Sequence, residues 1–337
     1  MSYEQPVYGL QTPEDIARSI TQSGRGIVDV SENIESLNAR LTSHGVSRNL
    51  KEKRRTFRET IITAEAIGSY VGGMIMNKEG YKQSSSRGQA FISSLHRRHI
   101  APILLLDDDS LITKRAAKDV SAFAIRDPKE IDKSSNSKLA FSTSANKSVE
   151  VAKASHDAGK AIVIGAELFG RGHHSFNQSY DAQAGYYDAI ISKLDKAGVD
   201  LSGVVLIGSI ATPGIYSSEE TSLEQIGSRN GNLINDLIPA TIGGLALSSD
   251  NPDSVKATQL INEVNNSCVN ISPSFVYSPA FADSILPYWA KNQFIDSEEH
   301  FRDALHANSH AAKAIWKPSI DCRIPENQID AWTPTSS

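Results

Sequence analysis

"KAIVIGAEL" (residues 160–168) is followed by "AQAGYYDAIISKLDKAG" (182–198) and then by "GVVLIGS" (203–209). The first and third stretches are apolar almost without a break. A strand with one solvated face alternates apolar and polar residues, so a continuous apolar run predicts a strand buried on both faces. The stretch between them reads as a long helix. Strand, helix, strand in that order predicts parallel pairing through a helical crossover.

The same alternation extends in both directions. "GIVDV" (26–30), "YVGGMIM" (70–76), "APILLLD" (101–107), "KLAFSTS" (138–144), "GGLALSS" (243–249) and "SFVYSP" (274–279) bring the strands to eight. Ahead of the first, Thr12 is placed to cap a helix over 12–23, with Pro13 at its first turn and Glu14 and Asp15 at the positive end of its dipole. Ile34, Leu37 and Leu41 recur at helical spacing over 31–45, and Gly45 ends that helix. Further helices are predicted over "RRTFRETIITAEAI", after the third strand (capped by Asp109 or Ser110), and over 149–159, 222–238, 252–266 and 298–316. Eight strand–helix units close most naturally into a (β/α)8 TIM barrel. An open doubly wound sheet is the alternative, and no GxGxxG follows the first strand to favour a dinucleotide site. Residues 1–316 are expected to form one barrel and 317–337 a C-terminal extension.

The chain has 337 residues, 39% hydrophobic and 22% charged, with a net charge of −5 and no basic stripe. That composition suits a globular core and predicts no nucleic-acid partner. Cys268 and Cys322 have neither metal nor disulfide spacing, which fits a reducing compartment. "MSYEQPVYGLQTPEDIARSI" lacks the apolar core of a secretory signal, and no apolar run reaches membrane-spanning length. The expectation is a cytoplasmic protein with a small-molecule substrate and no membrane partner.

Several stretches together resemble the class I fructose-bisphosphate aldolases. "SGRGIVDVSENIESLNARLTSHGV", "RRTFRETIITAE" and "YVGGMIMNKEGYKQ" resemble the opening of that family. "AELFGRGHHSF" is similar to the loop after its fifth strand, and "LSGVVLIGSIATPG" to its sixth strand and Thr-Pro-Gly turn. "FVYSPAFADSILPYW" and "DALHANSHAAKA" resemble its eighth strand and final helix. The resemblance spans roughly residues 10 to 316. It implies an aldolase-like barrel and, since tetramers are common in the family, a homo-oligomer.

The same resemblance implies that the family's reaction is missing. The family joins a strand-six lysine to the substrate ketone as an imine, the electron sink for the carbanion. Alignment on Thr212-Pro213-Gly214 places Ile207 there. The family's first-strand aspartate falls at Ser31, with Asp29 two residues earlier on the same face. Its third-strand lysine falls near Leu105, its fifth-strand glutamate at Gly165 with Glu167 two residues on, and its eighth-strand arginine near Pro279. On the fourth strand, Lys138 or Phe141 takes the place of a family lysine. The last tyrosine here is Tyr288, so the family's C-terminal tyrosine has no counterpart. Ser36 and Arg40 match residues near one phosphate and lie on one helical face, where they could share an anion. Ser248 matches a serine that contacts the other phosphate, but the family's following glycines are Ser249 and Asp250 here.

Active sites of such barrels lie at the C-terminal strand ends. Candidate catalytic groups there are Asp107, Asp108, Glu167 and Lys78. Carboxylates could act as bases or hold a divalent cation, and Lys78 or Lys138 could be a relocated imine lysine. Asp107, Glu167 and His173, with Arg171 and His174 nearby, are the candidate metal set. Asp29, Ser31, Glu32, Asn33, Ser36, Arg40, Ser248, Tyr277 and Ser278 are candidate substrate-binding residues. Each has a structural alternative: helix capping for Asp109 and Ser31, a self-paired loop for the histidines, solvated amines for the lysines, packing for Tyr277. No cofactor is required, a divalent metal being the one candidate. The expected function is an enzyme of altered, non-Schiff-base and in one form metal-assisted chemistry, acting on a small polar metabolite at the barrel mouth. A non-catalytic relative with a binding or assembly role, and a true aldolase with a relocated lysine, are the alternatives.

Overall fold

Eight parallel strands close on one another in the computed structural model of the chain, which describes residues 11–106, 112–131, 137–170, 172–249, 251, 253–277, 285–325 and 328. The barrel strands are β1 (Gly26–Asp29), β2 (Val71–Met76), β3 (Ala101–Leu105), β4 (Ala122–Arg126), β6 (Ala161–Ala166), β8 (Val204–Ser209), β9 (Gly244–Ser248) and β10 (Ser274–Tyr277), with β10 pairing back onto β1. Two short strands, β5 (Lys129–Glu130) and β7 (Leu168–Phe169), continue past the ends of β4 and β6 and pair with each other. This is the (β/α)8 barrel that the alternation predicts.

One strand differs. The fourth strand is Ala122–Arg126, and residues 138–144 belong instead to the helix Ser137–Asp157. "AFAIR" is short and has alanine at two of its five positions, so it carries a weak β signal, while Phe141, Thr143 and Ser144 mimic one. Tertiary context decides: Ser144 Oγ donates to Asp127 Oδ2 at 2.5 Å, and the Phe141 ring stacks on Tyr186 with centroids 4.5 Å apart. The helix after β3 is Lys114–Asp119, capped by Thr113 rather than Asp109 or Ser110.

Side chains alternate between two apolar regions. One lies between the sheet and the helices. The other fills the barrel with small and β-branched groups, among them Ile27, Ile103, Ala124, Val163, Ile207 and Val276. The N-terminal helix Pro13–Thr21 closes the end of the barrel where the strands begin. Thr12 and Asp15 form its capping box, and Ile16, Ala17 and Ile20 join the barrel interior. Gly72 lets this plug seat: a Cβ there would stand 2.0 Å from the Ile20 carbonyl oxygen. Among the described residues no helix is long and apolar enough to cross a membrane.

Because the atom facing Gly72 is backbone, no rotamer change relieves the contact. Gly72→Ala is expected to cost about 1–3 kcal/mol by overpacking, and Ile20→Ala about 2–5 kcal/mol by opening a cavity. Both would be read as lowered midpoints of urea unfolding with the slope unchanged.

Candidate active site

At the C-terminal ends of the strands, β1, β4 and β6 aim one charged group each at the barrel axis. The Arg126 guanidinium receives Glu167 in a fork, Nε to Oε2 and Nη2 to Oε1, both 2.6 Å. Its Nη1 donates to Asp29 Oδ2. The other Asp29 oxygen accepts from the Ser31 backbone at 2.8 Å and from Ser31 Oγ at 2.6 Å. Side-chain exposure is 2% for Glu167, 4% for Asp29 and 14% for Arg126. Burial works against the guanidinium's charge, but Glu167 and then Asp29 outweigh it, so the Arg126 pKa is raised. Bidentate, charge-assisted geometry is what lets such charges stay buried.

The backbone around Glu167 is fixed from both sides. Its carbonyl accepts from Lys129 N at 2.9 Å, the first rung of the β5–β7 pair. Gln183 Nε2 donates to Ala166 O at 2.9 Å, and Leu168 N donates to Ser209 Oγ at 2.9 Å. Gly165 makes room for the pair. A Cβ there would lie 2.9 Å from Arg126 Cγ and 3.0 Å from Glu167 Oε2. The position where the family resemblance implies a glutamate is therefore crossed by the Arg126 side chain. Ile207 pairs with Gly165 across β8 and β6, is fully buried, and packs in the barrel interior.

The other predicted residues divide into several groups. Ser36 and Arg40 do face one another on the helix Ile34–Ser43, and the anion they share is Glu32. Ser36 Oγ donates to Glu32 Oε1 and Arg40 Nη1 to Glu32 Oε2, each at 2.5 Å. Asn33, not Ser31, caps that helix, accepting from Ser36 N at 2.8 Å. Ser248 lies at the mouth, its Oγ 3.4 Å from Ser209 Oγ. Lys78 is exposed at the rim of a cleft of about 450 Å³ that Ser31, Asn33, Ile34, Glu35, Asn77, Glu79 and Leu105 also line. A cavity of about 520 Å³ opens beside Arg25, Gly68 and His99, at the starts of the strands, where barrels do not place their chemistry.

Two expectations are corrected by side-chain direction. Tyr277 faces the helices, packing edge-on against Phe301 at 5.1 Å, and does not line the mouth. His173 is turned toward the loop after β8, its Nδ1 2.7 Å from Tyr216 O, while both Glu167 oxygens are held by Arg126. Glu167 and His173 thus do not converge, and among the described residues no three His, Cys, Asp or Glu form a metal-binding group. His174 is buried, and burial lowers its pKa. Asp107, Asp108, Asp109, Ser110, Arg171, Asp250, Ser278 and Pro279 lie outside the described residues, as does the Lys138 side chain.

Arg126 is the central group that the sequence reading misses, because it ends the missed strand. The signal was present in "AFAIRDP": four apolar residues, one cation, then a turn-forming Asp-Pro. A second buried cluster is also missed. Arg54 forks onto Glu79 (Nε to Oε2 3.0 Å, Nη2 to Oε1 2.5 Å), and Arg58 Nη1 reaches the same carboxylate at 2.7 Å. Burial opposes the Glu79 charge, yet the two arginines hold its carboxyl below the usual range.

The family model for class-I fructose-bisphosphate aldolase matches residues 13–123 and 114–329. Fructose-bisphosphate aldolase 2, chloroplastic, of Arabidopsis thaliana is 25% identical over 292 residues, covering 81% of this chain and 73% of that protein. A probable fructose-bisphosphate aldolase class 1 of Xylella fastidiosa (strain Temecula1) is 21% identical over 327 residues, 90% of this chain and 98% of that one. The fructose-bisphosphate aldolase of Plasmodium falciparum, solved with TRAP and a small-molecule inhibitor, superposes with a TM-score of 0.82 at 18% identity, over 90% of this chain and 95% of that chain.

Removing one partner from a buried ion cluster leaves uncompensated charge. Arg126→Met is expected to cost about 3–5 kcal/mol at pH 7. Urea unfolding of wild type and variant at pH 7 checks the size.

Proposed function

Because the chain belongs to the class-I fructose-bisphosphate aldolase family, we propose that it keeps that barrel as a small-molecule site while running no imine chemistry. The observation that carries this reading is Ile207, fully buried in the barrel interior, where alignment on Thr212-Pro213-Gly214 puts the family's imine lysine. An aliphatic side chain has no nucleophile. Among the described residues no lysine is buried, and Lys78 is exposed at the cleft rim.

The charge of the mouth sets the ligand class. Two carboxylates on one guanidinium leave Asp29, Arg126 and Glu167 net negative. Glu32 occupies the Ser36 and Arg40 donors. A bisphosphate would meet like charge at both places, whereas a neutral or cationic molecule rich in hydroxyl groups would not. Recognition without aldol turnover is the function the geometry supports best, since the carboxylates at the axis are both committed to Arg126. A second reading, altered catalysis, is supported by the partial exposure of Arg126. Each terminal nitrogen keeps one N–H beyond those given to the carboxylates, and these could polarise a ligand carbonyl.

The protein is expected to release no triose phosphate from fructose bisphosphate and to form no borohydride-trapped adduct by mass spectrometry. Release of triose phosphate, or a trapped adduct, would overturn the proposal. A thermal-shift screen should find stabilisers among neutral polyols and amino sugars rather than sugar phosphates.

Restoring the amine alone should not restore activity. Ile207→Lys places an ammonium in an apolar interior and is expected to destabilise by several kcal/mol. The lysine pKa would be depressed in the folded state, so the deficit should narrow as pH rises from 7 toward 10. Denaturant midpoints across that range test the sign.

A further inference from the structure

We propose that His306 and His310 form a chelating site for an exchangeable divalent transition-metal ion of the zinc or nickel class, at the end of the barrel opposite the mouth. The two residues lie one turn apart on the helix Phe294–Ala311. Side chains at i and i+4 share a helical face, so two imidazoles at that spacing can meet on one ion. Their ring centroids are 4.2 Å apart, with the planes tilted by 53°. At a Zn–N distance of about 2.1 Å two rings on one ion stand about 4.5–5 Å apart, so a small rotation opens the pair to metal.

Both rings are half-buried and held in place. His310 Nδ1 lies 2.9 Å from His306 O. A carbonyl only accepts, so the proton sits on Nδ1 and the Nε2 lone pair is left for a metal. Ligation through one ring nitrogen, with the other N–H donated to a backbone carbonyl, is how metal sites orient their histidines. His306 packs edge-on against Tyr70, centroids 5.8 Å apart, and its ring makes no hydrogen bond among the described residues. Neither histidine has a buried, unpartnered nitrogen, so the remaining ring nitrogens reach solvent. Burial, and then the neighbouring His310, lower the His306 pKa. His306 therefore keeps the neutral imidazole that a metal ligand requires.

The framework around the pair is fixed on two sides. Tyr70 directly precedes β2, and Gly24 lies just before β1. A Cβ at Gly24 would stand 2.7 Å from Ser309 O, so the turn between the two histidines is seated on the chain entering β1. The six residues of β2, at ~3.3 Å each, set the pair roughly 20 Å from the mouth. Facing His306 are Tyr70 from before β2, Asp303 on its own helix, Lys313 in the turn after it and Asp321 in the C-terminal segment. Asp321 is engaged by Trp316 and Arg323. Asp303 stands 3.7 Å from Arg302 Nε, too far for a hydrogen bond, and so keeps its capacity to accept from a metal-bound water. Among the described residues no third His, Cys, Asp or Glu completes the set. Two protein ligands with water make a site that loads and unloads, whereas structural zinc takes four. Imidazole selects zinc, nickel and copper over magnesium and calcium.

Zinc is the probe, titrated by calorimetry into the untagged chain, with magnesium as the control. Wild type is expected to bind zinc saturably and magnesium not at all. His306→Gln and His310→Gln should each weaken zinc binding at least ~10-fold, the lower end of what losing even a supporting partner costs at a metal site. His300→Gln, on the same helix but stacked on Tyr288, should bind as wild type does. Zinc should also raise the thermal midpoint of the wild type and not of the His306 and His310 variants. No saturable zinc binding by the wild type, equal binding of magnesium, or folded His306 and His310 variants that keep full affinity would overturn the site. If a variant does not fold, NMR of the wild-type imidazoles decides: zinc must shift the ring signals of His306 and His310 and leave those of His300 in place. Ring signals of the pair that do not move would overturn it.

Discussion

Arg126 can lie at the mouth of an apolar barrel only because two carboxylates meet it there, and much of the local structure follows from that condition. A guanidinium held away from water needs hydrogen-bonded counter-charges in good geometry. Glu167 supplies a fork from β6 and Asp29 a third contact from β1. The three groups brace the barrel across its axis, joining β1 to the neighbouring strands β4 and β6 on its far side. The bracing in turn requires a glycine at 165, because any side chain there would collide with Arg126 and Glu167. It also requires Glu167 to stay in place, which the β5–β7 pair and the Ser209 hydroxyl ensure.

The departures from the aldolase resemblance are consequently not independent. Ile207 is level with Gly165, and Gly165 is level with Arg126. An aliphatic group at 207 packs with Val163, Val205 and Ala246 in the barrel interior, and Arg126 is level with it two strands away. An amine at 207 would add a cation to a barrel whose two axial carboxylates are already engaged by Arg126. The barrel has settled on a different charge arrangement, and one residue does not reverse it.

The parts of this arrangement that sequence shows and hides have a common cause. Strands such as "AIVIG" and "PILLL" are legible because burial on both faces leaves an uninterrupted apolar run. The N-terminal helix is legible because Thr12, Pro13 and Asp15 are local capping signals, and the structure uses them as such. β4 is not legible: Ala122 and Ala124 are its apolar residues in the barrel interior, and alanine carries little β propensity. Missing β4 hides Arg126, so Glu167 and Asp29 look like free carboxylates. Ile207, Gly165 and Ser31 could be singled out as departures, but their reason is a contact between β1, β4 and β6 that no local pattern encodes. The inward or outward direction of a side chain is equally hidden at short strand ends, and Tyr277 falls on the helix side.

The arginines of "KEKRRTFRE" extend the same logic beyond the mouth. In sequence they form a dense basic run, the kind of feature that could suggest a surface for polyanions. In the structure Arg54 and Arg58 turn inward to Glu79, and Arg55 binds Glu52 and Glu59 along its own helix. A guanidinium already forked onto a carboxylate has little attraction left for a phosphate, since the pair is neutral and its directional donors are used. Glu32 on Arg40, Glu79 on Arg54 and Arg58, and Glu167 with Asp29 on Arg126 are three instances of one device. Each sets an acidic side chain of the chain itself against a guanidinium, because a cation held away from water needs a hydrogen-bonded counter-charge.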